Sequence, residues 1–286
     1  MALNSINTNM GAMIALQSLE TTQSQLAVTQ KQISTGYRVA DSSDDGAAYA
    51  IAQSVRSTVG ALTSVNQQLG SVQGLLSTTQ SALNNISNTM NSMRDVLQKL
   101  SDQDVQGSDL SNYQTQYKSL LANLRNFISD ATYNGKSLVN DLTNSAGTAN
   151  KIGTILVPRN EVGGTYGVTT FSGSALYGSI AFTSTLGGGA TTIGALITAG
   201  GTFIREQNAV GTALNTIGSS INYISNQVTY NNNIIDALNS GLGALIDADL
   251  AQESAQLTAL QIRQQLGTQA LSLANQAPQT LLSLFK

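Results

Sequence analysis

A short segment at 39–46, VADSSDDG, carries oxygen-bearing side chains at the spacing of a calcium-binding loop. If Asp41 is position 1 of an EF-hand loop, Ser43 and Asp45 fall at ligand positions 3 and 5, and Gly46 falls at the turn glycine. Position 12, where such a loop needs a bidentate Glu, is Ala52. Because that ligand is missing, the sequence argues against a calcium site.

The same acids suit a helix start, where Asp side chains accept hydrogen bonds from free backbone N–H groups. We therefore expect a loop to end in a helix cap that begins a helix near residue 47, formed by Asp41, Asp44, Asp45 and Gly46. Two arginines, Arg38 and Arg56, flank this loop. They are either solvated helix ends or partners of the loop acids across a subunit boundary.

A second acidic group, Asp247, Asp249 and Glu253, is the other candidate for acid–base chemistry. A general acid or base needs a pKa shifted by burial or by a neighbouring charge, and the surrounding Gln and Ser residues favour a solvated surface instead. The chain has no His and no Cys, so imidazole bases, thiol nucleophiles and zinc sites are absent. The sequence therefore predicts no enzyme, no cofactor and no bound metal.

Charge is sparse throughout the 286 residues: 10% are charged and the net charge is −3. This supplies no basic face for nucleic acid or anionic membranes. The uncharged stretch 162–204 is too rich in Gly, Thr and Ser for a membrane span. The start, MALNSINTNMGAMIALQSL, has no cation before its apolar part and does not suggest a cleavable signal.

The elements that would position these residues are long helices. Apolar residues repeat in steps of three and four along the first half of the chain, at Leu62, Val65, Leu69, Val72, Leu76, Leu83, Ile86, Met90, Met93, Leu97 and Leu100. A second stripe comprises Val210, Leu214, Ile217, Ile221, Ile224, Val228, Ile235, Leu238, Leu242 and Leu245, with Asn231 at its one polar position. Such stripes predict two long helices that pack antiparallel, with Asn231 fixing their register.

Both ends of the chain carry narrower stripes. They comprise Leu19, Leu26 and Ile33 at the start, and Leu250, Leu257, Leu260 and Leu271 at the end. Isolated helices of this kind are marginal without tertiary packing. We expect the two tails to be weakly ordered until something outside one chain covers these residues. Between the long stripes, KIGTILVPRNEVGGTYGVTTF predicts a β-hairpin, whereas 172–204 shows no clear pattern.

Four motifs resemble bacterial flagellin, in the order found in that family. They are INTNMGAMIALQSL at the start, ISTGYRVADSSDDGAAYAIAQSVRS, YNGKSLV at 133–139, and DADLAQESAQLTALQIRQQLGTQALSLANQAPQTLLSLFK at the end. The matching stretches cover 1–140 and 205–286. One departure is Gly46, which stands before the Ala pair where many members have Asp-Asp-Ala-Ala-Gly.

The resemblance implies a mainly α fold, a long antiparallel coiled-coil-like bundle built from both chain ends with a small hairpin-containing insert. An inner helix and loop at 1–45 would pair with an inner helix at 247–286. The rod domain would comprise 46–140 and 205–246, and a β-rich insert would span 141–204. In the family the paired terminal helices line the central channel of the filament, and the long helices surround them.

The function implied by the resemblance is that of an extracellular filament subunit for swimming. Its partners would be further copies of itself, sister flagellins, an export chaperone, the flagellar type III export apparatus, and the filament cap and hook-associated proteins. A hook–filament junction protein is the alternative within the same class. A signalling helical hairpin, which also shows long heptads, is the alternative from another class.

The resemblance also bears on recognition by the mammalian Toll-like receptor for flagellin. Aligning LNNISNTMNSMRDVLQ and YNGKSL with the receptor-binding pattern places Ser92 where responsive members have Arg, Val96 at a Leu position and Gln116 at a Glu position, while Arg94 is retained. Loss of an Arg and a Glu removes two anchors of a charged interface. The sequence therefore predicts weak receptor activation.

Overall fold

The computed structural model describes residues 9–142, 154–182 and 185–284, with side chains described through residue 276. In chain order its elements are α1 (Met10–Thr35), α2 (Gly46–Leu100), α3 (Gly107–Asp130), β1 (Ile155–Pro158), β2 (Thr165–Val168), α4 (Gly173–Ile180), a 3₁₀ turn (Thr185–Gly187), α5 (Ala190–Leu196), α6 (Thr202–Ile246) and α7 (Leu250–Leu284). The prediction of a mainly α fold with a small antiparallel hairpin is confirmed. No helix in the described part of the chain is long and apolar enough to cross a membrane.

The chain divides into two compact units. A terminal unit combines the residues up to Val59 with those from Asp236 onward, and a rod unit comprises Gly60–Ile235. We expected the rod to begin at residue 46. The start of α2 belongs instead to the terminal unit, where Ala48 and Ala52 share a small core with Val39 and Ile246.

Within the rod unit, α2 and α6 run antiparallel in a fixed register. Asn66 donates a hydrogen bond to Asn232 at 2.8 Å, and Gln207 donates one to Asn91 at 2.7 Å. Residue numbers rise along α2 from the first bond to the second and fall by the same amount along α6, so the two helices are antiparallel. Asn231, predicted to be the polar position of the seam, is fully buried. Its Nδ2 donates to Asn66 Oδ1 at 2.9 Å, and its Oδ1 accepts from Gln227, so its amide is satisfied without water.

The rod core is built on the stripe of α2. Buried along it are Leu62, Leu69, Leu76, Leu83, Met90 and Leu97, and the α6 side of the rod unit contributes buried Val210, Ile217 and Ile224. Thr79, the one polar residue in the α2 stripe, is also buried, because its hydroxyl donates to the carbonyl of Leu75 in its own helix at 2.8 Å. A single hydroxyl satisfied in this way interrupts the stripe without leaving an unpaired group.

The third rod helix, α3, was not predicted from its own pattern, although the pattern is present. Leu110, Tyr113, Tyr117, Leu121, Leu124 and Ile128 repeat in steps of three and four, and the last four are fully or nearly fully buried. The hydroxyl of Tyr117 donates to the carbonyl of Ile180 at 2.7 Å, and burial raises the pKa of Tyr117 well above its usual range. This bond ties α3 to the end of α4.

The insert differs from the β-rich region that we predicted for 141–204. Its described residues contain the two four-residue strands, paired Ile155 with Val168 and Pro158 with Thr165, and then two short helices, α4 and α5. The hairpin prediction is confirmed, while the label β-rich is wrong for the part after Phe171. The residues 143–153 and 183–184 of the predicted insert lie outside the described residues.

Candidate functional site

The terminal unit is dominated by α1 and α7, which pack along each other in antiparallel orientation. At one end Asn9 caps α1 and its Nδ2 donates to the carbonyl of Ala274 at 2.7 Å. At the other end the amide of Ala248 donates to the carbonyl of Gly36 at 3.0 Å. Contacts at both ends define the pairing of the two helices over their described length.

The predicted tail residues lie mostly in the seam between these helices. Leu19 and Leu260 are buried, while Leu26, Ile33, Leu257 and Leu271 are half-buried. A Cβ placed on Gly267 would lie 3.3 Å from Leu19 Cδ1, so the glycine lets α7 approach α1 closely. The expectation that these stripes lack cover within one chain is therefore wrong, because each tail covers the stripe of the other.

Large apolar side chains of the pair that lie outside the seam are exposed. Among them are Met10, Ile14 and Val28 on α1, and Leu250, Ile262, Leu266 and Leu273 on α7. Ile262, Leu266 and Leu273 follow one another by four and seven residues, a spacing that places them on one side of α7. Of this exposed face, we predicted only Leu250. We call these seven residues the exposed apolar face.

The acidic loop before α2 is held by a cation that the sequence did not single out. Lys31 Nζ lies 2.7 Å from Asp41 Oδ2 and 2.7 Å from Asp44 Oδ1. These charged hydrogen bonds lower the pKa of Asp41 and of Asp44 below the usual range, and they raise the pKa of Lys31. Only Asp45 caps the helix, because its Oδ1 accepts from the amides of Ala47 and Ala48 at 3.0 Å.

The helix-cap prediction is thus corrected for two of its acids. Asp41 and Asp44 brace the loop against α1 rather than capping α2, while Gly46 is the first residue of α2. The two flanking arginines do not pair with these acids within the chain. Arg38 donates to the carbonyl of Leu245, and the guanidinium of Arg56 lies 5.8 Å from the ring centre of Tyr37.

In the second acidic group (Asp247, Asp249 and Glu253), Asp249 has a structural role. Asp249 Oδ1 accepts from the amides of Ala251 and Gln252 and so caps α7. Glu253 Oε2 and Thr29 Oγ1 are buried oxygens without a hydrogen-bond partner. Among the described residues, no three carboxylates come together in a way that would hold a metal ion.

The remaining predicted residues fall in two places. Ile235 and Leu242, assigned to rod packing, are half-buried on α6. Of the receptor-contact equivalents, Ser92, Arg94 and Gln116 are exposed, whereas Val96 is only 3% exposed and belongs to the rod core. Val96 is therefore unable to offer a surface contact to a receptor, and that part of the prediction is wrong.

Comparison with known proteins agrees with this architecture. Residues 6–144 match the family described as bacterial flagellin N-terminal helical region, and residues 205–285 match the bacterial flagellin C-terminal helical region. Flagellin FljM of Caulobacter vibrioides is 34% identical over 290 aligned positions that cover 100% of both chains. A flagellin of Brucella melitensis is 32% identical, with 99% of each chain covered.

A crystal structure of Bacillus cereus flagellin is 20% identical and covers 58% of this chain and 88% of that one, with a TM-score of 0.48, too low to add to the assignment. The full-length flagellin matches do not favour the hook–filament junction protein or the signalling hairpin. With both helical regions matched and the whole length aligned to flagellins, this chain belongs to the bacterial flagellin family, the structural subunits of the extracellular flagellar filament.

Proposed function

We propose that the chain polymerises by burying the exposed apolar face of α1 and α7 against the same helices of neighbouring copies. The observation that carries this proposal is the exposure of seven large apolar side chains on one helix pair. On a soluble monomer, a large amount of exposed apolar surface often marks a site that binds a partner. In a polymer, each copy can bury these side chains against the same surface of its neighbours.

The charge distribution favours apolar packing as the main attraction. Only two charged side chains lie within α1, Glu20 and Lys31, and Lys31 is already paired with the loop acids. The described part of α7 contributes Glu253 and Arg263. With so few charges, repulsion between copies is small, and assembly should respond weakly to salt screening.

The role of the chain in this proposal is structural rather than enzymatic. Asp45 and Asp249 cap helices, and Lys31 holds Asp41 of the loop, so these acids are engaged in the fold. We also propose export through the flagellar type III apparatus with a chaperone, addition beneath the filament cap, contact with hook-associated proteins and copolymerisation with sister flagellins. Membership of the flagellin family supports proposing these partners.

Removal of the chain from Ala248 onward tests this proposal. The variant keeps the α2 and α6 seam of the rod unit, including the hydrogen bond that Asn231 Nδ2 donates to Asn66 Oδ1. We expect the rod to stay helical by circular dichroism, and seeding with fragments of intact filament to yield no polymer. The full-length chain should elongate the same seeds. Normal filaments from the truncated chain would refute the proposed role of α7.

A further inference from the structure

In the rod unit, the described residues leave open an apolar groove of about 520 Å³. One wall is the face of α6 that carries Ala209, Ala213 and Ile217, and the opposite wall is Phe171 with the residues just after β2. The alanines leave the space, because larger side chains there would fill it. The described residues that line the groove are all uncharged.

Threonines in the groove wall add to its apolar character. Thr79, Thr212 and Thr216 each donate their hydroxyl to the carbonyl four residues earlier in the same helix, at 2.8–3.0 Å. A hydroxyl engaged in this way has its donor used within the helix. An aliphatic side chain is therefore a better fit to this groove than a polar or charged ligand.

The same rod unit holds an aliphatic side chain out into solvent. Val162, in the turn between β1 and β2, is 79% exposed. The turn is closed by a hydrogen bond from the Gly164 amide to Asn160 Oδ1 at 2.6 Å, and Gly163 adopts a positive φ of 81°. The carbonyl of Arg159 accepts from Gln227 at 3.1 Å, which anchors the turn to α6. The position of Val162 is thus fixed before any partner arrives.

Groove and turn are unable to meet within one chain. Gln227, where the turn is anchored, lies 14 residues after Ala213 on the same helix, which is about 21 Å along the axis. We propose that Val162 of one copy inserts into the groove beside Ala213 of a neighbouring copy. The contact joins two different surfaces, so it is heterologous, and it builds a filament when the rotation between copies does not close a ring. This inference rests on the proposed polymerisation.

Paired cysteines test the contact directly, because the natural sequence has no cysteine. A chain with Val162→Cys and Ala213→Cys should form a ladder of disulfide-linked oligomers when its filaments are oxidised and run on a non-reducing gel. Each single variant has one cysteine per chain and should give disulfide-linked dimer at most. The matched control joins Ala213→Cys to Leu156→Cys, because Leu156 lies on the same hairpin and is 66% exposed.

An equally strong ladder from the Leu156 pair would overturn the choice of Val162. An equal ladder in unseeded monomer at the same concentration would indicate random collision, and would also overturn the proposal. If the chain with Val162→Cys and Ala213→Cys forms normal filaments but gives no ladder, the proposal is overturned as well.

A second measurement does not depend on disulfide geometry. Val162→Ser should raise the concentration of monomer left in equilibrium with filament about tenfold, because burial of the valine is lost. Leu156→Ser should leave that concentration within about twofold. An unchanged value for Val162→Ser would overturn the inference. Failure of the unmodified chain to elongate seeds would instead overturn the proposed function itself, so the two failures are distinguishable.

Discussion

Truncation of Leu266 to alanine should weaken assembly while leaving the subunit folded. Leu266 is 59% exposed in the single chain, so more than half of its side chain remains to be buried. Three carbons are removed at about 0.8 kcal/mol each when fully buried, and the exposed fraction of that total is about 1.4 kcal/mol. This corresponds to about a tenfold rise in the critical concentration for polymerisation. Alanine is the best helix former, so α7 itself should not suffer.

Leu260 provides the matched contrast, because it lies in the seam and is only 3% exposed. Leu260→Ala should destabilise the pairing of α1 and α7 by about 2–5 kcal/mol and lower the helical content of the monomer. Gln261→Ala, at an exposed polar position on the same helix, should change neither property.

The assay combines far-UV circular dichroism of the monomer with sedimentation after seeding by fragments of unmodified filament. The reasoning fails if Leu266→Ala polymerises at the unmodified critical concentration. It also fails if Leu266→Ala loses as much monomer helix as Leu260→Ala, since the residue would then be a folding element.

Three further predictions address other parts of the chain. Thr29→Val should raise the free energy of unfolding by about 1 kcal/mol in thermal melts, because a buried hydroxyl without a partner is removed; Thr22→Val, which loses a bond to its own helix, should show no such gain. The unmodified monomer should activate receptor reporter cells weakly, and Ser92→Arg with Gln116→Glu should raise its potency more than tenfold; full potency of the unmodified monomer would contradict this. The ion pairs of Lys31 with Asp41 and Asp44 should stabilise the fold at neutral pH. This stabilisation should be lost as the pH falls from about 4 through the lowered pKa values of the two aspartates, or rises from about 10 through the raised pKa of Lys31. In thermal melts, the difference between Lys31→Met and the unmodified chain should therefore change with pH across this range, and a constant difference would contradict the prediction.

The long seam of the rod was predictable because its period persists over many turns. A stripe from Leu62 to Leu100, interrupted only by Thr79, specifies both a helix and its buried side, and the second stripe supplies a partner of matching length. The role of Asn231 in setting the register stays a prediction, although its amide is engaged on both sides.

The exposed apolar face was harder to predict, because a sequence pattern does not say which of two apolar faces a partner covers. The seven-residue step of Leu19, Leu26 and Ile33 identified a seam, and the seam lies within one chain. Ile262 and Leu266 are not part of the stripes that the sequence pattern picked out. They remain on the surface once α1 and α7 have paired.

The acidic loop was misjudged for a reason of backbone geometry. Gly36 ends α1 with a positive φ of 73°, a conformation that glycine adopts without steric cost. The chain then turns back so that Asp41 and Asp44 reach Lys31, ten and thirteen residues earlier. Spacing along the sequence gives no sign of that reversal.

In the insert, short helices such as α4 arise in a Gly-rich stretch with no clear period, and tertiary contacts such as the Tyr117 bond to Ile180 determine them.

Hydrogen–deuterium exchange of monomer and filament tests the central claim, burial of the exposed apolar face on assembly, most directly. The claim predicts that amides across 10–35 and 250–284 exchange readily in the monomer, where only one helix covers another, and become strongly protected in the filament. Amides in the α2 and α6 seam of the rod should be protected in both states. Filaments in which the two terminal helices still exchange at the monomer rate would contradict the claim.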